Sequence, residues 1–134
     1  MKAIADTGFF VALARASDQY HTWAQEVAGE LTEPPITCEA VLAEAAFHLR
    51  SAAYVLSLIS NSVVCLNFDL GAEWKRVGEL AIRYADRRPD LADLCLIRMS
   101  EINPACPVIT TDRDDFTIYR RYGRERIPLI FPPV

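Results

Sequence analysis

The 134 residues are enough for one ordinary domain, and because 51% of them are hydrophobic the chain can bury a substantial core. A formal net charge of −4 argues against a protein that holds nucleic acid through a broad cationic surface. It leaves open an enzyme whose carboxylates hold a metal ion. No apolar run approaches the roughly 20 residues that span a bilayer, and Asp6 interrupts the apolar start of the chain. A cytoplasmic protein without a membrane segment is therefore expected.

Strands and helices are predicted to alternate along the chain. In chain order we expect a strand at 2–5, helices at 9–16 and 19–31, a strand at 34–36, helices at 38–50 and 52–60, a strand at 62–66, a helix at 72–85, a polar loop at 86–89, a helix at 91–102, a strand at 107–111, a helix at 114–121 and a strand at 128–131. Thr37 is a plausible N-cap for the third helix. Trp74, Val77 and Leu80 share the buried stripe of the fifth helix. This alternation indicates an α/β protein whose parallel sheet is covered on both faces.

The four cysteines, which are Cys38, Cys65, Cys95 and Cys106, include no C-x-x-C pair. Each lies among apolar neighbours. We therefore expect reduced thiols in the core rather than disulfides.

Two aspartates directly follow predicted strands. Asp6 comes after the first strand, and Asp112 comes after the strand at 107–111. In parallel sheets, sites form beyond the carboxyl ends of the strands. If the two strands are neighbours, both carboxylates emerge at the same edge. The alternative is that each aspartate only caps the helix that follows it.

Glu44 is harder to explain as a structural residue. It lies in the middle of a helix, on the stripe shared by Val41 and His48. A lone ionised carboxylate is costly to bury, so it needs a partner. The only lysines are Lys2 and Lys75. A structural glutamate at the rim of the core remains the alternative.

Several carboxylates at one edge of a sheet repel each other, and a hard divalent cation removes that repulsion. All-oxygen ligation suits Mg²⁺ or Mn²⁺, which activate water and neutralise charge on a phosphoryl group. His21 and His48 lack zinc-like spacing, and the sequence has no phosphate-binding glycine loop. The acidic residues therefore predict phosphodiester chemistry.

Five segments carry a resemblance to a known family. They are IADTGFFVAL at 4–13, DQYHTWA at 18–24, VLAE at 41–44, DLADLCL at 90–96 and ITTDRDDF at 109–116. In order and spacing they resemble the PIN domain, and within it the toxin-type ribonucleases of type II toxin–antitoxin pairs. The resemblance covers essentially the whole chain.

The resemblance implies one acidic site that is both metal-binding and catalytic. Its four members are Asp6, Glu44, Asp93 and Asp112; the additional candidates are Asp115, Asp90, and Thr110 or Thr111, either of which would orient the site through its hydroxyl. Asp93 is preferred over Asp90 as the third acid, because Asp90 suits the helix cap. The fourth acid is left open among Asp112, Asp114 and Asp115.

The resemblance also implies a fold and an activity. The fold is a three-layer α/β/α sandwich with a five-stranded parallel sheet in the order 3-2-1-4-5, and residues 1–134 form a single domain. The activity is that of an Mg²⁺-dependent endoribonuclease, in which Mn²⁺ can substitute and which leaves a 5′-phosphate. Its role is a toxin neutralised by a cognate antitoxin.

The sequence also predicts contacts with substrate and partners. Arg87 and Arg88 precede the third acidic motif, where they could contact RNA phosphates; the alternative is a solvated loop. Residues 120–126 are read as a solvated helix face and turn. The apolar stretch 9–13, together with Trp23 and Tyr54, is a candidate homodimer surface or antitoxin groove, although core packing is the commoner fate of such residues.

Two other functions fit the same residues. One is a PIN-domain nuclease outside toxin–antitoxin systems, which processes RNA or acts on DNA. The other is a non-catalytic module, receiver-like or degenerate, that binds a metal or a partner. A receiver needs a lysine near its acidic pocket, and neither Lys2 nor Lys75 is well placed. The complete acidic set argues against a degenerate domain.

Overall fold

The computed structural model describes residues 1–133. The strands are β1 (Ile4–Ala5), β2 (Ile36–Thr37), β3 (Cys65–Leu66), β4 (Val108–Ile109), β5 (Arg120–Arg121), β6 (Glu125–Arg126) and β7 (Leu129–Ile130), and the helices are α1 (Thr7–Ala14), α2 (His21–Glu30), α3 (Glu39–Leu49), α4 (Ala52–Ser60), α5 (Leu70–Arg83), α6 (Leu91–Ile102) and α7 (Arg113–Phe116). A short 3-10 turn, Ala85–Arg87, occupies part of the predicted polar loop. The predicted bounds of α4 and α6 are confirmed.

Five parallel strands form the main sheet in the order β3-β2-β1-β4-β7. The central strand is β1, where Ile4 pairs with Ile36 on one side and with Val108 on the other. Its residues are fully buried because helices cover the sheet. Since β7 is the fifth strand of this sheet along the chain, the predicted order 3-2-1-4-5 and the α/β/α sandwich are confirmed.

A small hairpin between β4 and β7 was not predicted. The helix expected at 114–121 ends at Phe116, and β5 pairs with β6 in an antiparallel hairpin. Tyr122 and Gly123 make the reversal with positive φ angles of 49° and 71°. Arg121 is buried, and its guanidinium donates to the backbone carbonyl of Ser100 in α6 and to that of Pro104 in the following loop. The prediction of a solvated helix face is therefore wrong for Arg121.

Two predictions about single residues at helices are wrong, because contacts with other parts of the fold determine where these side chains lie. Thr37 is not the cap of α3, because its hydroxyl donates a 2.8 Å hydrogen bond to the carbonyl of Ala5 in the neighbouring strand. The N-cap is Cys38, whose side chain makes no capping bond. Trp74 leaves the predicted stripe and is 60% exposed, whereas Val77 is buried against α6.

The cysteine prediction holds for three of the four residues. All four thiols are free, and Cys38, Cys95 and Cys106 are buried. Cys65 is exposed, because it lies in the edge strand β3.

Part of the expected interaction surface belongs to the core. Phe9 and Phe10 are buried, whereas Tyr54 on α4 is 37% exposed. The exposed apolar side chains nearest to it in sequence are Phe47 and Leu56, on α3 and α4. Within residues 1–133, every helix falls short of the length and apolar character that crossing a membrane requires.

Candidate active site

Asp6 and Asp112 leave the same edge of the sheet from neighbouring strands. The backbone N–H of Asp6 donates to the carbonyl of Ile109 at 2.9 Å, which extends the pairing of β1 with β4 as far as the first acid. The carboxyl ends of parallel strands are where side chains from separate segments converge. The structure thus brings together the two aspartates that the sequence placed after strands.

Asp6 is held by two hydrogen bonds and is only 7% exposed. Its Oδ1 accepts from the backbone N–H of Thr7 at 2.6 Å, and its Oδ2 accepts from the Thr110 hydroxyl at 2.7 Å. Burial raises the pKa of Asp6 to about 6, although both hydrogen bonds act to lower it. Asp6 is therefore both a helix cap and a buried, poorly compensated carboxyl group.

The two threonines after β4 have different roles. The Thr110 hydroxyl donates to Asp6 and accepts from the backbone N–H of Asp112 at 2.9 Å, so it connects both acids. Thr111 packs over the first turn of α1, where a Cβ added to Gly8 would lie 2.1 Å from its Oγ1. Thr110 is accordingly the residue that orients the acids, and Gly8 leaves room for Thr111.

Glu44 reaches the cleft from α3, where its closest neighbours are polar. Its Oε1 accepts from the Thr7 hydroxyl at 3.3 Å. Burial, followed by the charge of nearby Asp90, raises the pKa of Glu44 to about 7. The neighbouring group is the carboxylate of Asp90 rather than a cation. Protonation of Glu44 or a bound metal ion would stabilise this arrangement.

Asp90 and Asp93 both face the cleft. The Asp90 carboxylate caps α6 by accepting from the backbone N–H of Asp93 at 2.8 Å, as expected for the cap. Burial, followed by the charge of Asp6, raises the pKa of Asp93 to about 8. The Oδ2 of Asp93 accepts from the Tyr119 hydroxyl at 3.3 Å. Asp90 therefore caps α6, as expected, and the preference for Asp93 as the third acid stays a prediction.

The fourth acidic motif contributes two side chains to the cleft. Asp112 caps α7 by accepting from the backbone N–H of Asp115 at 3.1 Å, and burial raises its pKa. Carboxylate oxygens of Asp93, Asp112 and Asp115 all lie within 4.8 Å of one another. Asp114 is exposed and lies outside this group.

The donor set fits a hard divalent cation. The three grouped residues offer only carboxylate oxygens, the ligands that Mg²⁺ and Mn²⁺ prefer. Asp6 is close enough that its charge raises the pKa of Asp93. Burial and neighbouring carboxylates raise the pKa values of all four predicted acids, so the negative charge of this site lacks compensation. A bound cation would supply it.

These acids line an open cleft of about 530 Å³. The residues that line it are Asp6, Thr7, Gly8, Val11, Arg15, Asp18, Gln19, Tyr20, Glu44, His48, Arg87, Arg88, Pro89, Asp90, Asp93, Thr111, Asp112 and Asp115. Arg87 donates to Oδ1 of Asp115 at 2.7 Å, and Arg88 lies beside it in a left-handed conformation. Arg15, which sequence reasoning missed, donates to the backbone carbonyl of His48.

The segment at 18–24, which carries Asp18 and His21, has a structural role at the rim of this cleft. Asp18 accepts from the backbone N–H of Tyr20 at 2.8 Å, and the Nδ1 of His21 lies 2.7 Å from the carbonyl of Ala12. Both contacts fix the loop between α1 and α2. The loop in turn places Gln19 and Tyr20 at the cleft wall.

The strand order and the flanking helices define a PIN-like fold. No family model matches the sequence, and no curated protein matches it either. Among solved structures, the chain is similar to VapC20 of Mycobacterium tuberculosis, a sarcin-ricin loop cleaving toxin. The TM-score is 0.74 at 20% identity, over 84% of this chain and 91% of that one. At this level of identity the likeness establishes the shared fold.

Proposed function

We propose that this protein is an Mg²⁺-dependent endoribonuclease, with residues 1–134 acting as one PIN-like domain. The observation that carries the proposal is the group of carboxylates from Asp93, Asp112 and Asp115, which meet beside Asp6 at the edge of the sheet. The similarity of the fold to a toxin that cleaves the sarcin-ricin loop supports the same assignment.

In this proposal Asp6, Glu44, Asp93 and Asp112 form the metal-binding and catalytic site, and Asp115 and Asp90 complete it. Thr110 keeps Asp6 and Asp112 in fixed positions through its two hydrogen bonds. Mg²⁺, or Mn²⁺ in its place, would neutralise charge on the phosphate and lower the pKa of an attacking water. Hydrolysis then leaves a 5′-phosphate and a 3′-hydroxyl.

Glu44 is suited to move a proton in this reaction. In the metal-free protein its pKa is raised to about 7, so before a cation binds it can take up or release a proton near neutral pH. It reaches the cleft from α3, on the opposite side of β1 from the α7 acids, because β2 and β4 flank β1. Thr7 donates to it and fixes its direction.

The cleft also holds cationic groups that could contact RNA. Arg87 and Arg88 contact substrate phosphates in this proposal, and Arg15 adds a third guanidinium on the α3 side. Because Arg87 is already fixed against Asp115, its position at the acidic group does not depend on substrate. Acidic and basic residues are equal in number outside the cleft lining, so no cationic surface competes for RNA and binding should depend mainly on these arginines.

We further propose a biological role as the toxin of a type II toxin–antitoxin pair in the cytoplasm. Such a role requires a cognate antitoxin, and we expect the protein to act as a homodimer. The exposed apolar side chains of Phe47, Tyr54 and Leu56 offer surface on α3 and α4 for one of these contacts. Coexpression with the product of an adjacent small gene, followed by copurification, tests the role separately from the chemistry.

The chemistry is tested by mapping RNA ends. Purified protein is incubated with ribosomal RNA, including a fragment that carries the sarcin-ricin loop, with Mg²⁺, with Mn²⁺, or with EDTA. We expect cleavage with either metal, loss of cleavage in EDTA, and 5′-phosphate products. Asp6→Asn is the inactive control, and single-stranded DNA tests the broader nuclease alternative. Full activity in EDTA would refute the metal-dependent mechanism.

A further inference from the structure

Tyr119 is a fully buried residue whose hydroxyl points at the acidic cluster. Its side chain has 0% exposure, yet it donates a hydrogen bond to Oδ2 of Asp93 at 3.3 Å. A buried hydroxyl without a partner is unfavourable, and Asp93 is the acceptor that Tyr119 has within residues 1–133. The residue lies outside the five segments that suggested the function.

The ring of Tyr119 is held rigidly. It packs edge-on against Tyr84, with centroids 5.0 Å apart, and against Phe116, with centroids 5.2 Å apart. Its backbone N–H donates to the carbonyl of Asp115 at 3.1 Å. Tyr119 therefore has a fixed position relative to α7, the helix that carries two of the three grouped acids.

The third grouped acid comes from a different helix. Asp93 is in the first turn of α6, whereas Asp112 and Asp115 belong to α7 and its cap. In the part of the chain that the structure describes, the Tyr119 hydroxyl is the side-chain donor to the Asp93 carboxylate. Without it the carboxylate would be free to rotate about its terminal torsion, which has broad preferences.

We propose that Tyr119 is a positioning residue, which holds the Asp93 carboxylate where it can share one divalent cation with Asp112 and Asp115. The inference rests on the metal-dependent function proposed above. Positioning acts before catalysis, since preorganised ligands bind a metal without an ordering cost. The loss of Tyr119's hydroxyl should consequently weaken metal binding more than it slows turnover at saturating metal.

The test is Tyr119→Phe, with Tyr84→Phe as the matched control. Both variants keep the edge-on contact between the rings and lose one buried hydroxyl, but the Tyr84 hydroxyl accepts from the backbone N–H of Arg120 and does not touch the acids. Calorimetric titration with Mg²⁺ and with Mn²⁺ should show roughly three- to tenfold weaker binding for Tyr119→Phe, the effect of one hydrogen bond. Tyr84→Phe should bind both ions as the wild type does.

Kinetics give a second readout. For Tyr119→Phe we expect the Mg²⁺ concentration at half-maximal cleavage to rise by the same factor, with kcat at saturating Mg²⁺ within about twofold of wild type. Replacing Tyr119 with p-aminophenylalanine, which restores an N–H donor, should recover metal affinity. This rescue also separates lost positioning from general damage to the fold, which circular dichroism monitors.

The outcomes distinguish this inference from the ribonuclease assignment. Equal metal affinity in Tyr119→Phe and wild type, or an equal loss in Tyr84→Phe, would overturn the positioning role. So would a wild-type protein that binds neither ion. If wild type binds Mg²⁺ and Tyr119→Phe weakens that binding, the positioning role stands even when no RNA is cleaved, and only the proposed substrate fails.

Discussion

The Thr110 hydroxyl donates a 2.7 Å hydrogen bond to Asp6, a residue 104 positions earlier in the chain. The same oxygen accepts from the backbone N–H of Asp112. One buried side chain therefore satisfies polar groups of both strand-end acids. Its hydroxyl therefore connects the two acids, which the pairing of β1 with β4 brings to the same sheet edge.

Thr110→Val should damage both stability and activity. Valine has nearly the same shape, but it leaves an oxygen of Asp6 and the N–H of Asp112 without this partner. We expect the free energy of unfolding to fall by about 1–3 kcal/mol, and Mg²⁺-dependent cleavage to fall further than the folded fraction does. Thr110→Ser keeps the hydroxyl and should retain most activity. Urea unfolding and cleavage assays on both variants would contradict the orienting role if valine behaved like serine.

Neutralising single acids separates catalysis from capping. Asp6→Asn can still accept from the N–H of Thr7, because asparagine caps helices about as well as aspartate. We expect the metal-free thermal midpoint to hold or rise, and cleavage to drop by orders of magnitude. The same pattern is expected for Asp93→Asn, Asp112→Asn and Glu44→Gln.

The measurement for these variants is the thermal midpoint with and without Mg²⁺, together with cleavage. Wild type should gain stability from the ion through mass action, and Asp6→Asn should gain less. Asp114→Asn is the matched control, since this exposed acid lies outside the grouped carboxylates. Acid variants that keep both the wild-type cleavage rate and the wild-type Mg²⁺ shift would place the active site elsewhere.

Metal-free stability should fall as the pH rises. The folded pKa values of Asp6, Glu44 and Asp93 are raised to about 6, 7 and 8, above their ordinary values. The folded state therefore binds these protons more tightly than the unfolded chain does, so their stabilising effect is complete in acid and is lost as the pH rises through the folded pKa values. Urea unfolding in EDTA from about pH 5 to about pH 8 should show this decline, because those pKa values span most of that range.

Two controls sharpen the pH experiment. Saturating Mg²⁺ should flatten the decline, because the cation favours the ionised carboxylates. Asp93→Asn should remove the part of it at the highest pH, since Asp93 has the highest of the three values. A metal-free stability that rises steadily across the same interval would show that these carboxyl groups are not buried as described.

Replacing Arg87 and Arg88 with alanine should weaken RNA binding and flatten its dependence on salt, since fewer counterions are released. Arg87→Ala alone has a second expected effect. It frees Asp115 from its ion pair, so Mg²⁺ affinity should increase. Arg124→Ala with Arg126→Ala is the charge-matched control, because these exposed residues lie on the hairpin and outside the cleft lining. Binding isotherms are measured at several salt concentrations. If the salt dependence of RNA binding is the same for the variant and the wild type, Arg87 and Arg88 belong to a solvated loop that does not contact RNA.

Gly8→Ala should disrupt the site by steric contact. The new Cβ would lie 2.1 Å from Oγ1 of Thr111, so the threonine beside Thr110 must move. We expect lower stability and reduced cleavage. Gly29→Ala is the control: nothing lies within 4 Å of its Cβ position in α2, and alanine should stabilise that helix by about 0.5–1 kcal/mol. Thermal midpoints that change equally in both variants would remove the steric explanation.

The sequence predicted the main sheet because its strands are short apolar runs that end at turn residues or acids. It did not predict the hairpin β5–β6, whose residues are mostly charged and have no alternating pattern. Glu101 shows the same limit. It lies on the largely apolar helix α6, yet its side chain is buried between Arg76 and Arg98. Such pairing depends on how α5 packs on α6.

The site was predictable to a similar extent. Asp6 and Asp112 could be placed because each follows a strand, and Glu44 because it interrupts an apolar stripe. The nearness of Glu44 to Asp90 and the hydrogen bond from Tyr119 to Asp93 depend on packing between separate segments of the chain. No local pattern encodes either of them. Confinement of the chain to one domain stays a prediction.

The position of β1 between β2 and β4 also determines when the site can form during protein synthesis. A nascent chain that ends at residue 107 already contains Asp6, Glu44 and Asp93, but β1 still lacks β4, its second neighbour. Parallel pairing between distant segments is slow, and chains emerge from the ribosome with their amino ends first. The parts of the site that are synthesised after the other acids are Asp112, Asp115 and Thr110, whose hydroxyl bonds to Asp6. The acidic site can therefore be completed only after β4 and α7 have been synthesised.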